Sequence, residues 1–278
     1  MTKMLKKRQT GFTLVEMIVV ITITAIIGAV VAVFIRAPVQ GYVDASRRAT
    51  LTDIADTALR RIGRDLRLAL PNSVRVTNAG QTVEFLLTST GGRYRSEPKN
   101  DGTGDVLDFA ATDSSFDVIG PKVNLSLSDD EIAVYNLGPN VSGANAYNGD
   151  NIAPIAGASA VPQSNVTLAS PGFQFPFSSP ANRFQVVETP VSYVCDLTTG
   201  TLWRYWHYPI QATQPTAAQL PGLAGVLSAR LATNVSSCNI DYSPGVTQRS
   251  GLVSMLLQIS QSGETVTLYD EVHVTNVP

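Results

Sequence analysis

From Met17 to Ile35 the chain runs for nineteen residues without a charge. At about 1.5 Å per residue, a helix of that length spans roughly 28 Å, close to the hydrocarbon thickness of a bilayer. Only Thr22 and Thr24 are polar there, and a helix satisfies their hydroxyls on its own carbonyls. A buried core helix fits such a run poorly. A secretory signal peptide would have a shorter apolar stretch with a small-residue cleavage site after it. Here the small pair Thr10-Gly11 comes before the apolar residues. Lys3, Lys6, Lys7 and Arg8 also precede them, and the positive-inside rule keeps that leader cytoplasmic and places everything after Arg36 across the membrane. One residue breaks the pattern. Glu16 stands five places after Gly11, where an unpaired acid costs on the order of 2.5–3.5 kcal/mol or more to insert.

The stretch "GFTLVEM", Gly11 to Met17, resembles the processing site of type IV pilins and of the pseudopilins of type II secretion. The resemblance implies that a membrane prepilin peptidase cuts between Gly11 and Phe12 and N-methylates Phe12. Residues 1–11 are then a cleaved leader, and residues 12–36 remain as a transmembrane and polymerisation helix. It also implies a role for Glu16 in assembly: its carboxylate pairs with the cationic Phe12 amine of a neighbouring subunit, and an intramolecular pair is open too because the two are i,i+4.

Beyond the apolar run, Leu51, Ile54/Ala55, Ala58/Leu59, Ile62, Leu66 and Ala69/Leu70 recur at helical spacing, with Arg47, Arg60, Arg64 and Arg67 on the other face. The i,i+4 pairs Asp44–Arg48, Asp56–Arg60 and Arg61–Asp65 add weak support. The spacing predicts an amphipathic stem over residues 37–70, ended by Pro71 and Asn72. One helix from Phe12 to Ala69 would be roughly 87 Å long. Gly28, Pro38 and Gly41 are where it is expected to bend or melt locally. Residues 71–278 read as β-rich. Hairpins are expected across "TNAGQ", "DLTTG" and "QSGE", with further strands at Val106–Phe109, Ile132–Asn136, Phe184–Val187, Val191–Cys195 and Glu271–Val274. The Asn-, Gly-, Ser- and Pro-rich residues 138–180 read as a long irregular insertion, and Leu220–Leu231 as short helical or irregular. The expected class is α+β: a long N-terminal pilin helix packed on a mostly antiparallel β domain.

"ALRRIGRDLRLALPNSVRV", "GGRYR", "TPVSYVCD", "LWRY" and "EVHVTNVP" resemble the larger minor pilins. These include the pseudopilin J group and, more closely, the O-type biogenesis proteins of mannose-sensitive haemagglutinin (MSHA) pili. Major pilins often carry a proline near the position of Val33; here the proline comes at Pro38. That departure and the bulky body favour a subunit that primes assembly or caps the tip. The resemblance implies as partners prepilin peptidase, other minor and major pilins, the inner-membrane assembly platform and the inner membrane itself. A minor pseudopilin of a type II secretion system shares the same N-terminus and stays open.

From Val76 onward eight Lys/Arg face seventeen Asp/Glu, a net −9, which argues against nucleic acid as a partner of the body. Cys195 and Cys238 lack CxxC spacing; in an oxidising compartment they would pair as a disulfide, and otherwise stand as two buried thiols. His207 and His273 are the only histidines, and no GxSxG, HExxH, Walker A or Rossmann pattern frames a catalytic site. "SDDE" (Ser128–Glu131) and "NGDN" (Asn148–Asn151) are oxygen-rich but lack EF-hand spacing and read as solvated turns. No catalytic residue, cofactor or metal is therefore expected. The competing class is a membrane-anchored periplasmic enzyme or binding domain.

Overall fold

The computed structural model describes residues 11–245 and 250–278. It divides into two units, one up to Thr50 and one from Leu51 to Pro278. A single helix, α1, spans Leu14–Leu66. In the first unit this helix runs unbroken through Gly28, Pro38 and Gly41, so the expected local melting does not occur. Pro38 removes one donor and leaves the turn otherwise helical.

In the second unit, α1 buries Leu51, Ala55, Ala58, Leu59, Ile62 and Leu66, the stripe that the spacing predicts. The helix stops at Leu66 rather than near Ala69. Leu68 and Ala69 tighten into three-residue turns on the Asp65 and Leu66 carbonyls. Leu70 N–H then bonds the Leu86 carbonyl at 2.7 Å, so the sheet takes over the backbone before Pro71 is reached.

The strands, all antiparallel in pairing, are β1 (Arg75–Thr77), β2 (Thr82–Tyr94), β3 (Ser115–Ile119), β4 (Glu131–Val134), β5 (Ile152–Pro154), β6 (Asn165–Thr167), β7 (Arg183–Asp196), β8 (Thr201–Trp206), β9 (Leu227–Thr233), β10 (Val235–Ser243), β11 (Gly251–Gln261) and β12 (Glu264–Val274). The larger sheet has the order β5-β4-β7-β2-β3-β6, with β1 on β2 and β8 joining β7 to β9; the smaller has the order β10-β11-β12. The three expected hairpins form as β1/β2, β7/β8 and β11/β12. The last turns through Ser262 and Gly263, both at positive φ, the geometry that matches strand twist.

Four expectations change. Phe184–Val187 and Val191–Cys195 are one strand, because Pro190 sits opposite Leu86 without ending β7. Val106–Phe109 is not a strand: its amides go to the Arg95 carbonyl and the Asp113 carboxylate instead of to a neighbouring ladder. The segment 138–180 holds β5, β6 and a 3-10 turn (Ala146–Asn148), and it buries Tyr147, Ile152, Val166 and Phe175. Most of Leu220–Leu231 is accounted for by a second 3-10 turn (Leu220–Gly222) and the start of β9.

One core joins the helix stripe to Phe85, Tyr193, Leu202, Ile240, Met255 and Val272, and so to both sheets. Cys195 of β7 and Cys238 of β10 are disulfide-bonded within it, with Cα atoms 6.4 Å apart. The bridge closes a 43-residue separation, a constraint the chain-entropy model values at about 4 kcal/mol. A second core under β3, β4, β6 and β7 contains Tyr94, Phe116, Ile132, Phe175 and Phe184.

Inside the helix-bearing core lies a charge. Asp65, 4% exposed, accepts hydrogen bonds from Tyr193 Oη at 2.7 Å and Arg204 Nε at 2.8 Å. Arg61 Nε stands 3.3 Å from its other oxygen, an ion pair without hydrogen-bond alignment. Arg204 is itself buried and stacks over Trp206. Asp65→Leu strands that guanidinium, so it should cost about 3–5 kcal/mol, read as a lowered chemical-denaturation midpoint of the full chain in detergent. Asp65→Leu with Arg204→Met should recover most of the loss; no recovery would show that the pair is not what holds the helix down.

Candidate processing and assembly site

Gly11 and Phe12 lie ahead of the helix, and Thr13 caps it. Thr13 Oγ1 accepts from Glu16 N–H at 3.3 Å, while a Glu16 carboxylate oxygen accepts from Thr13 N–H and from Thr13 Oγ1–H, both at 3.3 Å. This is a reciprocal capping box. Its signature, T-x-x-E before an apolar run, stands in "TLVE" and is a local sequence signal that the reading of Glu16 as a lone acid leaves out. Glu16 therefore has a local partner before any neighbour docks. Its carboxylate sits on the amide one residue beyond Phe12, the residue whose nitrogen a cut after Gly11 would free.

A Cβ on Gly11 would meet nothing within 4 Å. No packing among the described residues therefore calls for glycine at this position. Past the cap, the apolar side chains stay out of the protein interior: Phe12 is 79% exposed and Phe34 76%. Thr22 and Thr24 fold their hydroxyls back onto the carbonyls of Ile18, Val19, Val20 and Ile21, so no polar group projects. Among the described residues α1 is one helix long and apolar enough to cross a membrane. Lys3, Lys6, Lys7 and Arg8, expected to hold the leader inside, lie outside the described residues.

Residues 6–32 match the prokaryotic N-terminal methylation motif. The chain carries a pilin-type methylation motif. The match takes in Gly11, Phe12, Glu16 and the apolar run as far as Ala32. The motif is that of type IV pilin-like proteins processed by prepilin peptidase, and it points to a structural subunit. No curated protein and no solved structure matches the chain.

Outside the methylation motif, a cleft of about 430 Å³ is lined by Asp129, Glu131, Glu188, Thr189 and His207 among others. His207 Nδ1 stands 3.5 Å from Asp129. Thr189 Oγ1 is engaged, accepting from His207 N–H and donating to the Pro190 carbonyl. No group of three or more His, Cys, Asp or Glu stands in metal-holding geometry among the described residues. The "SDDE" and "NGDN" stretches do make exposed turns at Ser128-Asp129 and Asn148-Gly149, but each also buries one polar residue. Asp130 is buried and accepts from Leu127 N–H, and Asn151 is buried and donates to the Val134 carbonyl.

Burial pushes the carboxyls of Asp130, Glu131 and Glu188 above their ordinary range, with repulsion from Asp129 adding to each. Glu84, buried beneath Arg75, also moves up by desolvation, with Arg75 opposing. An acid raised in the folded state stabilises fully below its unfolded value and loses that contribution as pH rises through its folded value. Two carboxyls are held low by hydrogen bonds, Asp101 from Thr103 and Asp196 from Thr199. At Asp117 desolvation is outweighed by bonds from Asn165, the Asp105 amide and Arg95. These three matter only below the usual aspartate range. As pH falls from neutrality toward the ordinary carboxylate range the raised group governs, so the denaturation midpoint should climb on acidification. Glu131→Gln with Glu188→Gln should flatten that climb, and an unchanged slope would discount the cleft as its source.

Proposed function

We propose that this chain is a minor pilin, made as a precursor, cut between Gly11 and Phe12 by prepilin peptidase and N-methylated on Phe12. In this reading helix residues 12–36 anchor it in a bacterial inner membrane, and residues 71–278 lie on the periplasmic side until the subunit enters a filament. It primes assembly of a type IV pilus of the MSHA type, or caps its tip. The methylation motif over residues 6–32 carries the reading. The spacing and geometry of Gly11 and Glu16 support it. A glycine that no packing among the described residues requires is accounted for by an enzyme that needs an unhindered backbone at the cut. An acid at the third helical position first caps the helix and then faces a new amine.

The disulfide between Cys195 and Cys238 suits an oxidising compartment. The size of the body and the placement of Pro38 favour a priming or tip role over a repeating one.

Capping and pairing are separable. Thr13→Val removes the cap, worth about 1 kcal/mol, and leaves the carboxylate in place. Incorporation into filaments should survive it. Glu16→Ala should leave the protein in the membrane and abolish or strongly reduce incorporation. Intact-mass analysis should find a wild-type chain beginning at N-methylated Phe12, and Gly11→Val should retain the whole leader, residues 1–11. A wild-type protein that keeps its leader would end the proposal, as would normal incorporation of Glu16→Ala.

A further inference from the structure

On the larger sheet, two cations face each other. Arg93 of β2 and Arg183 of β7 are directly paired in antiparallel register. Side chains so placed share one face with Cβ atoms about 4.5–5.5 Å apart, and like charges there destabilise a sheet. Both are exposed, and among the described residues neither has an acid or a hydrogen-bond acceptor. Three other arginines on or beside this sheet are paired with acids, Arg75 with Glu84, Arg95 with Asp117 and Arg204 with Asp65, while Arg230 of β9 stands exposed and apart from Arg93 and Arg183. In a body of net charge −9, leaving two guanidinia unpaired and adjacent is the exception.

The surroundings make a recess. Arg93, Arg183, Gln185, Ile119, Pro121 and Gly91 line an open concavity of about 480 Å³. Gly91 forms part of its floor. A Cβ there would come within 2.5 Å of Gln185 Oε1 and 2.8 Å of the Phe184 carbonyl, so the Gln185 amide lies across the glycine. That amide also has no partner among the described residues. The recess thus offers two guanidinium forks and a primary amide, bordered by Ile119 and Pro121.

We propose that this recess binds an acidic polypeptide segment, its carboxylates seated on the Arg93 and Arg183 forks. A guanidinium holds a carboxylate through two parallel hydrogen bonds, and an anion between the two arginines turns their repulsion into attraction. The acidic body disfavours long, densely charged polyanions such as nucleic acid, while two forks match a short pair of carboxylates. The apolar border suits a polypeptide backbone and its methylene groups. The site stands whether or not the filament reading does.

The test uses the full chain in a non-ionic detergent and a fluorescently labelled hexaglutamate peptide, read by anisotropy. Wild type should bind, and raised salt should weaken binding. Arg93→Gln with Arg183→Gln should weaken it at least tenfold, without lowering the melting temperature, because two facing like charges are removed. Arg93→Lys with Arg183→Lys should give an intermediate loss, since charge remains and the forks do not. Equal affinity of wild type and the double glutamine variant would overturn the proposal, placing the peptide on arginines elsewhere. So would absence of binding, or preference for tripolyphosphate over hexaglutamate.

Discussion

A carboxylate removed from water holds the helix to the sheet. Desolvating Asp65 is costly, and that cost is offset only where Tyr193, Arg204 and Arg61 converge on it. Apolar contacts along Leu51, Leu59 and Ile62 tolerate sliding, because one aliphatic surface resembles another. The hydrogen bonds from β7 and β8 do not. A shift of the helix by one turn would bury Asp65 without partners and leave Arg204 facing none. The stripe supplies the bulk of the attraction, and Asp65 sets the register in which it is used.

The two ends of the chain differ in how plainly the sequence speaks. The apolar run, the helical stripe and the three hairpins were legible because each rests on local rules: a period, a cap, a tight turn. The 138–180 segment was not. Its strands are three residues long and pair with β3 and β4 far away in sequence, so no local period announces them. Tyr147 is buried there with its hydroxyl on the Ser73 carbonyl, 74 residues distant. Arg61–Asp65 shows the same limit. It reads as an ordinary surface pair, and only the approach of β7 and β8 makes it internal. Of the processing site, the order of Gly11, Phe12 and Glu16 was legible, and the cap formed by Thr13 was written in the same letters and passed over.

That cap changes how Glu16 is understood. A lone acid at the edge of a bilayer looks like an unmet demand for a partner. Held by Thr13 through one carboxylate oxygen, it already has a partner in the unprocessed chain, in the geometry that opens many soluble helices. A new amine at Phe12 would therefore compete with an existing bond rather than rescue a stranded charge. In the proposed filament the gain from pairing would then be the difference between two hydrogen-bonded states, smaller than a desolvation cost alone suggests.

The disulfide has a topological consequence. Cys195 and Cys238 enclose β8, β9 and the segment between them in a covalent ring. A protease that nicked the backbone anywhere from Asp196 to Ser237 would yield two polypeptides that still travel as one molecule. The N-terminal piece would keep the helix, and the C-terminal piece would keep β10, β11 and β12. Outside that ring a single cut parts the chain for good. Exposed to foreign proteases, the body would thus have one stretch of more than forty residues in which damage to the main chain does not become loss of the subunit.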